Sequence, residues 1–502
     1  MGVYIALLPL LMLAAGGCGL MVAEAYGRFR EDGHDGDEGP SESLALTSAL
    51  VLFAAAIAAF SLGLKGPETI EGFNQAAPYL LVDRFSLFFT SVVCLGGGLT
   101  SLLAGGYLPE HNLDRGEFYS LLIFSTLGCV VLAMAGDLLS QFLGLETMSL
   151  GVYAMTGFRR GSSRSNEAAL KYFLLGSFAA ALMLYGGALL YGVTGHTDLA
   201  GIGQALAPGK ALPWPMVIFA FALMLVGLLF KVSAVPFHMW APDAYEGAPT
   251  PAMAFMAVAV KTAAFAMMLR VLVLTFNGPH FTSWASGWPP VLALLAVLTM
   301  TVANLIAGRQ ESVKRMLAYS SVAHAGYVLV GIVSSTRIGD EGQASVLLYL
   351  LGYTVSTVGA LGALILMGRR GAEAVSYEDL AGIARRHPGP AMAMSFFLLS
   401  LAGIPPLAGF FAKLYIFRAA IGAGFYWLAI LGLLNSVLGA YYYLKVMVFM
   451  YMREPAPGAP IATPMRSGLV TAALVLSALL VLMLGVMPGS SLALALQSVM
   501  HG

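Results

Sequence analysis

The chain is 502 residues long, 59% hydrophobic and only 10% charged, with a mean hydropathy of +0.82, whereas soluble domains carry about a quarter charged residues. This composition excludes a water-soluble globular protein and marks a polytopic membrane protein. Lys plus Arg and Asp plus Glu stand at 26 each, so no excess charge points to nucleic acid or to an acidic partner.

A membrane-spanning helix needs about 20 mainly apolar residues, and on that measure the chain offers about fourteen. In chain order they cover 3–25, 44–64, 80–106, 117–135, 138–157, 167–194, 214–236, 249–275, 288–307, 312–335, 343–368, 390–420, 424–452 and 467–488. The expectation is an all-α, single membrane domain over 1–502. It divides into three N-terminal helices (1–106), two five-helix units (117–275 and 288–452) and a C-terminal helix (467–488). Leu13-Ala-Ala-Gly-Gly-Cys18 has the look of a lipoprotein cleavage box, but no basic residue precedes it and the apolar run continues, so a first membrane helix is expected. Cys18, Cys94 and Cys129 lie in apolar runs without C-x-x-C or Cys/His spacing, which argues against a metal site or a disulfide framework. The longest connections, Arg28–Ser43, Arg369–His387 and Glu454–Pro464, are too short to hold a nucleotide or redox cofactor, and no G-x-G-x-x-G follows a strand pattern.

Basic residues orient the chain. Arg28, Arg30, Arg115, Arg159, Arg160, Arg164, Arg309, Lys314, Arg315, Arg369, Arg370, Arg385, Arg386, Arg453 and Arg466 follow odd-numbered helices, whereas the even connections hold only Lys65, Arg84, Lys210 and Arg337. The positive-inside rule then puts the odd connections in the cytoplasm and both termini outside. The remaining basic residues, Lys171, Lys231, Lys261, Arg270, Lys413, Arg418 and Lys445, fall within proposed helices. Arg270 and Arg418 sit near helix ends, where they can snorkel. A charge at bilayer depth costs about 2.5–3.5 kcal/mol on insertion scales, so the five lysines are the working set.

Lys231 stands five residues before Pro236, so the seventh helix should break just after the lysine. Irregular backbone at membrane depth is tolerated where it is buried in protein or lines a polar cavity, which makes the break a candidate ion-path element. Pro405-Pro406 breaks the twelfth helix in the same way, with Lys413 following. Two broken helices five spans apart suggest inverted five-helix repeats. Glu146 is the one carboxylate near the middle of a proposed span, and Lys231 is its expected partner. Lys261 lies near the centre of the eighth span as a candidate relay member. For each of these lysines the alternative is a static charge that locks helices together. Lys171 and Lys445 lie near helix ends, where snorkelling competes with a relay role, and His238 and His324 are weaker candidates that can equally be core histidines.

Three stretches carry a resemblance. Phe237-His-Met-Trp240-Ala-Pro242-Asp243-Ala-Tyr245-Glu-Gly247-Ala-Pro249, Lys314-Arg-Met-Leu-Ala-Tyr319-Ser-Ser321-Val-Ala-His324-Ala-Gly-Tyr327 and Leu401-Ala-Gly-Ile-Pro405-Pro-Leu-Ala-Gly409-Phe-Phe-Ala-Lys413 resemble the antiporter-like subunits of respiratory complex I, NADH:quinone oxidoreductase, and their cation/proton antiporter relatives. The likeness covers nearly the whole chain and is greatest to the subunit N type. The subunit M type usually has a glutamate where this chain has Lys413, the subunit L type extends into a long lateral helix, and Tyr245-Glu-Gly departs from the sister patterns.

The resemblance implies a proton-translocating role without redox chemistry in this chain. Glu146 and Lys231 would form the pair of the fifth and seventh helices, Lys261 the central lysine and Lys413 the terminal one, with His238 and His324 on the hydrated axis. It implies a bacterial inner membrane and partners of the subunit M, K and J types. FMN, iron–sulfur clusters and quinone would belong to other subunits. The alternatives are a subunit of a multi-subunit sodium/proton antiporter, a subunit of a membrane-bound hydrogenase, or a scaffold that buries the charges without conducting.

Overall fold

A computed structural model describes residues 2–31, 41–209, 212–368, 373–455 and 466–500. Lys210, Arg369, Arg370 and the side chains of Arg28 and Arg30 lie outside the described residues. Among those described the chain is helical, with only isolated bridges and no strand.

Among the described residues, twelve helices are long and apolar enough to cross a membrane. They are α1 (Leu8–Glu31), α2 (Ser41–Lys65), α3 (Arg84–Glu110), α4 (Glu117–Met134), α6 (Ser163–Thr194), α7a (Trp214–Lys231), α8 (Thr250–Leu274), α9 (Trp288–Gly308), α10 (Val313–Ile338), α11 (Asp340–Leu366), α13 (Tyr426–Met452) and α14 (Gly468–Val486). α5 (Leu138–Thr156) has the length, but Gln141 and Glu146 lower its apolarity. The twelfth pass is split into α12a (Pro388–Ala402) and α12b (Ala408–Gly422), each 15 residues long and too short alone. With these two passes the architecture matches the fourteen expected. The seventh pass continues after its break as α7b (Trp240–Gly247).

Local chemistry sets the helix starts. Asp83, Asp137, Ser162, Ser312 and Ser467 each accept a hydrogen bond from a first-turn amide of the helix that follows, satisfying donors that an apolar setting would leave orphaned. Both interrupted passes break where proline stops the backbone ladder, at Val235-Pro236 and at Pro405-Pro406. The first break is braced: the Trp240 indole donates to the Phe230 carbonyl at 3.0 Å, and the Val235 amide donates to Thr299 at 3.0 Å. Gly403 closes α12a in the left-handed region at φ 89°, and a Cβ there would stand 3.0 Å from the Lys413 side chain.

Helices are layered by burial. In α3, α8, α10 and α11 about nine-tenths of the apolar window is buried, against 22% in α1. Lys261 and His324 thus sit on the innermost helices. α8 carries an irregularity that its apolar composition did not signal: a π-turn over Met256–Val260, ending directly before Lys261. Such turns leave an extra residue in the helical ladder and recur at functional sites.

One expectation is corrected. Arg270 does not snorkel; it is 1% exposed and makes a forked pair with Asp83, both contacts at 2.9 Å, while its Nε donates to the Ala133 carbonyl at 3.2 Å. A planar guanidinium is better satisfied by a two-pronged carboxylate within the protein than by a stretch to the interface. Burial alone would raise the Asp83 carboxyl, but the Arg270 charge and its hydrogen bonds, with Ser86, outweigh it and hold Asp83 below its usual range. Asp83→Asn is expected to leave Arg270 buried without a counter-charge and to lower the stability of the detergent-solubilised protein by about 3 kcal/mol, read as a fall in thermal unfolding temperature. An unchanged melt would refute the role given to this pair.

Candidate functional site, a row of buried lysines

Lys231 is the last residue of α7a and is 2% exposed. Its ammonium donates to the Ser149 hydroxyl at 2.8 Å and lies 5.6 Å and 5.8 Å from the centres of the Tyr153 and Tyr172 rings. Ser149 is one helical turn beyond Glu146 on α5 and passes its own hydroxyl hydrogen to the Leu145 carbonyl. Glu146, half-buried, acts on Lys231 at Coulombic range but forms no ion pair with it among the described residues. The direct ligand of Lys231 is thus the serine rather than the carboxylate expected as its partner.

Lys261, also 2% exposed, donates to the carbonyl and hydroxyl of Ser321, at 2.6 Å and 2.5 Å. Tyr353 of α11 donates to the same hydroxyl at 2.8 Å. The face of α10 continues from there: Ser320 bonds Tyr443 at 2.5 Å, and His324 lies between Tyr443 at 3.1 Å and Tyr349 at 2.7 Å. Serine, histidine and Tyr327 at helical spacing therefore form one polar stripe. His324 is within Coulombic range of both Lys261 and Lys413.

Lys413 completes the row. It is 6% exposed, donates to the Ala402 carbonyl and the Ser436 hydroxyl, both at 2.9 Å, and lies 5.3 Å from the centre of the Tyr327 ring. Ala402 ends α12a, so the ammonium sits on the negative end of a half-helix. This explains why the two proline breaks have their lysines on opposite sides. Lys231 belongs to the helix before its break, whereas Lys413 reaches back from the helix after its own.

The weaker candidates divide. His238 lies in the α7 break, half-buried, with a buried Nδ1 that has no hydrogen-bond partner among the described residues. Lys171 is 46% exposed and pairs with Glu167 at 2.7 Å and Asp243 at 3.0 Å. It belongs to a surface cluster in which Arg315 and Arg164 hold Asp243 and Glu246 and so tie α7b to α6 and α10. Lys445 caps the end of α9 through the carbonyls of Gln310 at 3.2 Å and Gly308 at 3.5 Å.

A second buried ionic centre went unread in the sequence. Lys314, expected as a connection charge, has a side chain only 1% exposed and donates to Glu373 at 3.0 Å and to the Ala248 carbonyl at 2.6 Å. Glu373 also accepts from Thr250 at 2.8 Å and from Tyr107, and Tyr107 accepts from Arg159 at 2.8 Å. These contacts join α3, α10 and the turn between α7b and α8 to the connection before α12a. No local pattern marks a single glutamate in a loop as the hub of such a network. Burial alone would raise the Glu373 carboxyl, but the Lys314 charge, the Tyr107 hydrogen bond and Arg159 bring it down to about 2.

Fold and site together define a polytopic module of the antiporter-like class, with two interrupted helices and a row of buried lysines. The family described as NADH:quinone oxidoreductase/Mrp antiporter, TM matches residues 135–439. The NADH-quinone oxidoreductase subunit N 1 of Sorangium cellulosum is 67% identical over all of this chain and 99% of its own length. A chain of respiratory complex I from Thermus thermophilus superposes with a TM-score of 0.76 at 36% identity, covering 97% of this chain and 98% of that one. A chain of the Mrp complex from Dietzia gives a TM-score of 0.81 at 23% identity, covering 99% and 96%, which shows the shared fold alone. The chain belongs to the NADH:quinone oxidoreductase/Mrp antiporter membrane family and, within it, to the NADH-quinone oxidoreductase subunit N group.

Glu373 supplies a pH test. Its folded-state value lies below the ordinary 4.5, so its stabilisation is present in full above pH 4.5 and is lost as the pH falls towards about 2. The shift corresponds to about 3 kcal/mol near neutrality. Glu373→Gln should lower thermal stability by about that amount at pH 7 and flatten the acid side of the stability curve, as followed by unfolding in detergent. A variant whose acid limb matches that of the parent would show that another carboxylate controls it.

Proposed function

We propose that this chain is a proton-translocating membrane subunit of an NADH–quinone oxidoreductase, moving protons while electron transfer from NADH to quinone proceeds in other subunits. The observation that carries the reading is that Lys231, Lys261 and Lys413 are all buried yet, among the described residues, are held by neutral hydroxyls and carbonyls rather than by carboxylates. A lysine locked in an ion pair resists losing its proton. One resting on neutral oxygens releases it more readily once its surroundings change.

Glu146 supplies the change. When its carboxylate closes on Lys231 the charged amine is favoured; when it withdraws, Lys231 loses that support and can pass a proton towards Lys261, and on past His324 to Lys413. The two interrupted helices place these groups in what we read as inverted five-helix repeats over 117–275 and 288–452, with 1–106 and 467–488 flanking them. The protein is assigned to the bacterial inner membrane, with the odd connections cytoplasmic and both termini outside. Its neighbours would be the subunit M type and the small K and J types, while FMN, iron–sulfur clusters and quinone belong elsewhere in the assembly. The sodium/proton antiporter alternative has only the fold in its favour, at 23% identity against 67% for the subunit N relative.

Lys231→Ala, Lys261→Ala and Lys413→Ala in the assembled, liposome-reconstituted complex should each reduce NADH-driven proton uptake by at least about tenfold, as when a positioned proton carrier is deleted. Lys445→Ala should instead cost about 1 kcal/mol of stability, from the lost helix cap, and spare pumping. Retention of full pumping by all three lysine variants would defeat the proposal.

A further inference from the structure

Between Lys231 and Lys261 the structure holds two tyrosines with no assigned task. Tyr172 of α6 and Tyr245 of α7b are each 1% exposed, and the hydroxyl of each is buried without a hydrogen-bond partner among the described residues. Phenylalanine would fill both positions without leaving a polar group unsatisfied. A buried donor left unmade is unfavourable, so its presence calls for an explanation beyond packing.

The positions supply one. The Tyr172 ring lies 5.8 Å from the Lys231 ammonium and stacks on Trp240 at 4.2 Å with the planes 2° apart. Tyr245 meets the edge of the same indole at 6.0 Å and 77°. Trp240 is itself pinned to the Phe230 carbonyl, one residue before Lys231, so one rigid indole sets both phenols. Tyr245 also lies in the neighbourhood of Ser321 and Tyr353. Ser321 is the residue that holds Lys261. The order along the protein is therefore Lys231, Tyr172, Tyr245, Ser321, Lys261.

We propose that the hydroxyls of Tyr172 and Tyr245 are the proton relay from Lys231 to Lys261, an inference that rests on the lysine-axis reading above. As neighbouring groups close to hydrogen-bonding distance, the Lys231 ammonium gives one proton to the Tyr172 oxygen, and the Tyr172 hydroxyl proton passes to Tyr245. The Tyr245 proton passes to the Ser321 oxygen, and the Ser321 proton to the neutral amine of Lys261. Lys231 ends neutral and Lys261 charged; each hydroxyl has lost one proton and gained one, so no oxidant or other reactant is required. The phenols stay uncharged at the start and end of each transfer, which suits an apolar site.

The test compares Tyr172→Phe, Tyr245→Phe and Lys261→Ala in the purified complex in liposomes, with proton uptake read by a pH-sensitive dye during NADH oxidation by a quinone. Phenylalanine keeps the packing on Trp240, and assembly is checked by recovery of the whole complex. The expected result is that both phenylalanine variants assemble and lose most of their proton uptake, approaching Lys261→Ala, with the remaining uptake losing part of its solvent deuterium sensitivity. If Lys261→Ala stops pumping while both phenylalanine variants pump normally, the relay is overturned and the lysine axis stands. If Lys261→Ala pumps normally, the axis fails and the relay falls with it.

Discussion

A protonated amine removed from water must be given oxygen ligands, and much of this molecule is arranged around three of them. Lys231 takes a serine hydroxyl, Lys261 a serine hydroxyl and carbonyl, and Lys413 a serine hydroxyl and the carbonyl end of a half-helix. Such ligands are adequate but not generous. A full ion pair would hold the proton more firmly, and an apolar pocket would expel it. The proline breaks follow from the same requirement, because an unbroken helix keeps its carbonyls for itself, whereas α12a ends at Ala402 and leaves one free for Lys413.

Charges that hold the structure together are treated differently. Arg270 has a forked carboxylate, and Lys314 has Glu373 with a carbonyl in support. These are closed pairs, costly to break because one buried charge would be left alone. Within a single chain, then, the buried cations fall into a group compensated by full charges and a group resting on neutral dipoles. The first group fixes helix positions; the second consists of the lysines assigned to proton movement.

Hydropathy was enough to read the fourteen passes, because bilayer thickness fixes helix length, and the breaks were legible because proline acts on its own turn of helix. Lys231, Lys261 and Lys413 stood out as charges left over once the connections had taken theirs. Ligands were harder to foresee. Ser149, Ser321 and Ser436 are ordinary helix residues in sequence, and what distinguishes them is a lysine on another helix. Arg270 and Lys314 were misplaced for a related reason. Distance from a helix end suggests how far a side chain must reach for water, but it says nothing about a carboxylate arriving from a remote segment. The π-turn before Lys261 left no mark either, since an apolar run can wind as α or π with little change in composition.

The ionic hub and the lysine row meet at α8. Lys314 holds the carbonyl of Ala248, the residue that caps α7b, and Glu373 holds Thr250, the first residue of α8. α7b is also tied sideways to α6 and α10 by Asp243 and Glu246. The half-helix that follows the break after Lys231 is thus fastened at its far end, and the helix carrying Lys261 is fastened at its start. Between the fastened start of α8 and Lys261 lies the π-turn, where the helical ladder is least regular. The irregular turn thus separates a fastened helix start from the buried amine to which proton carriage is assigned above.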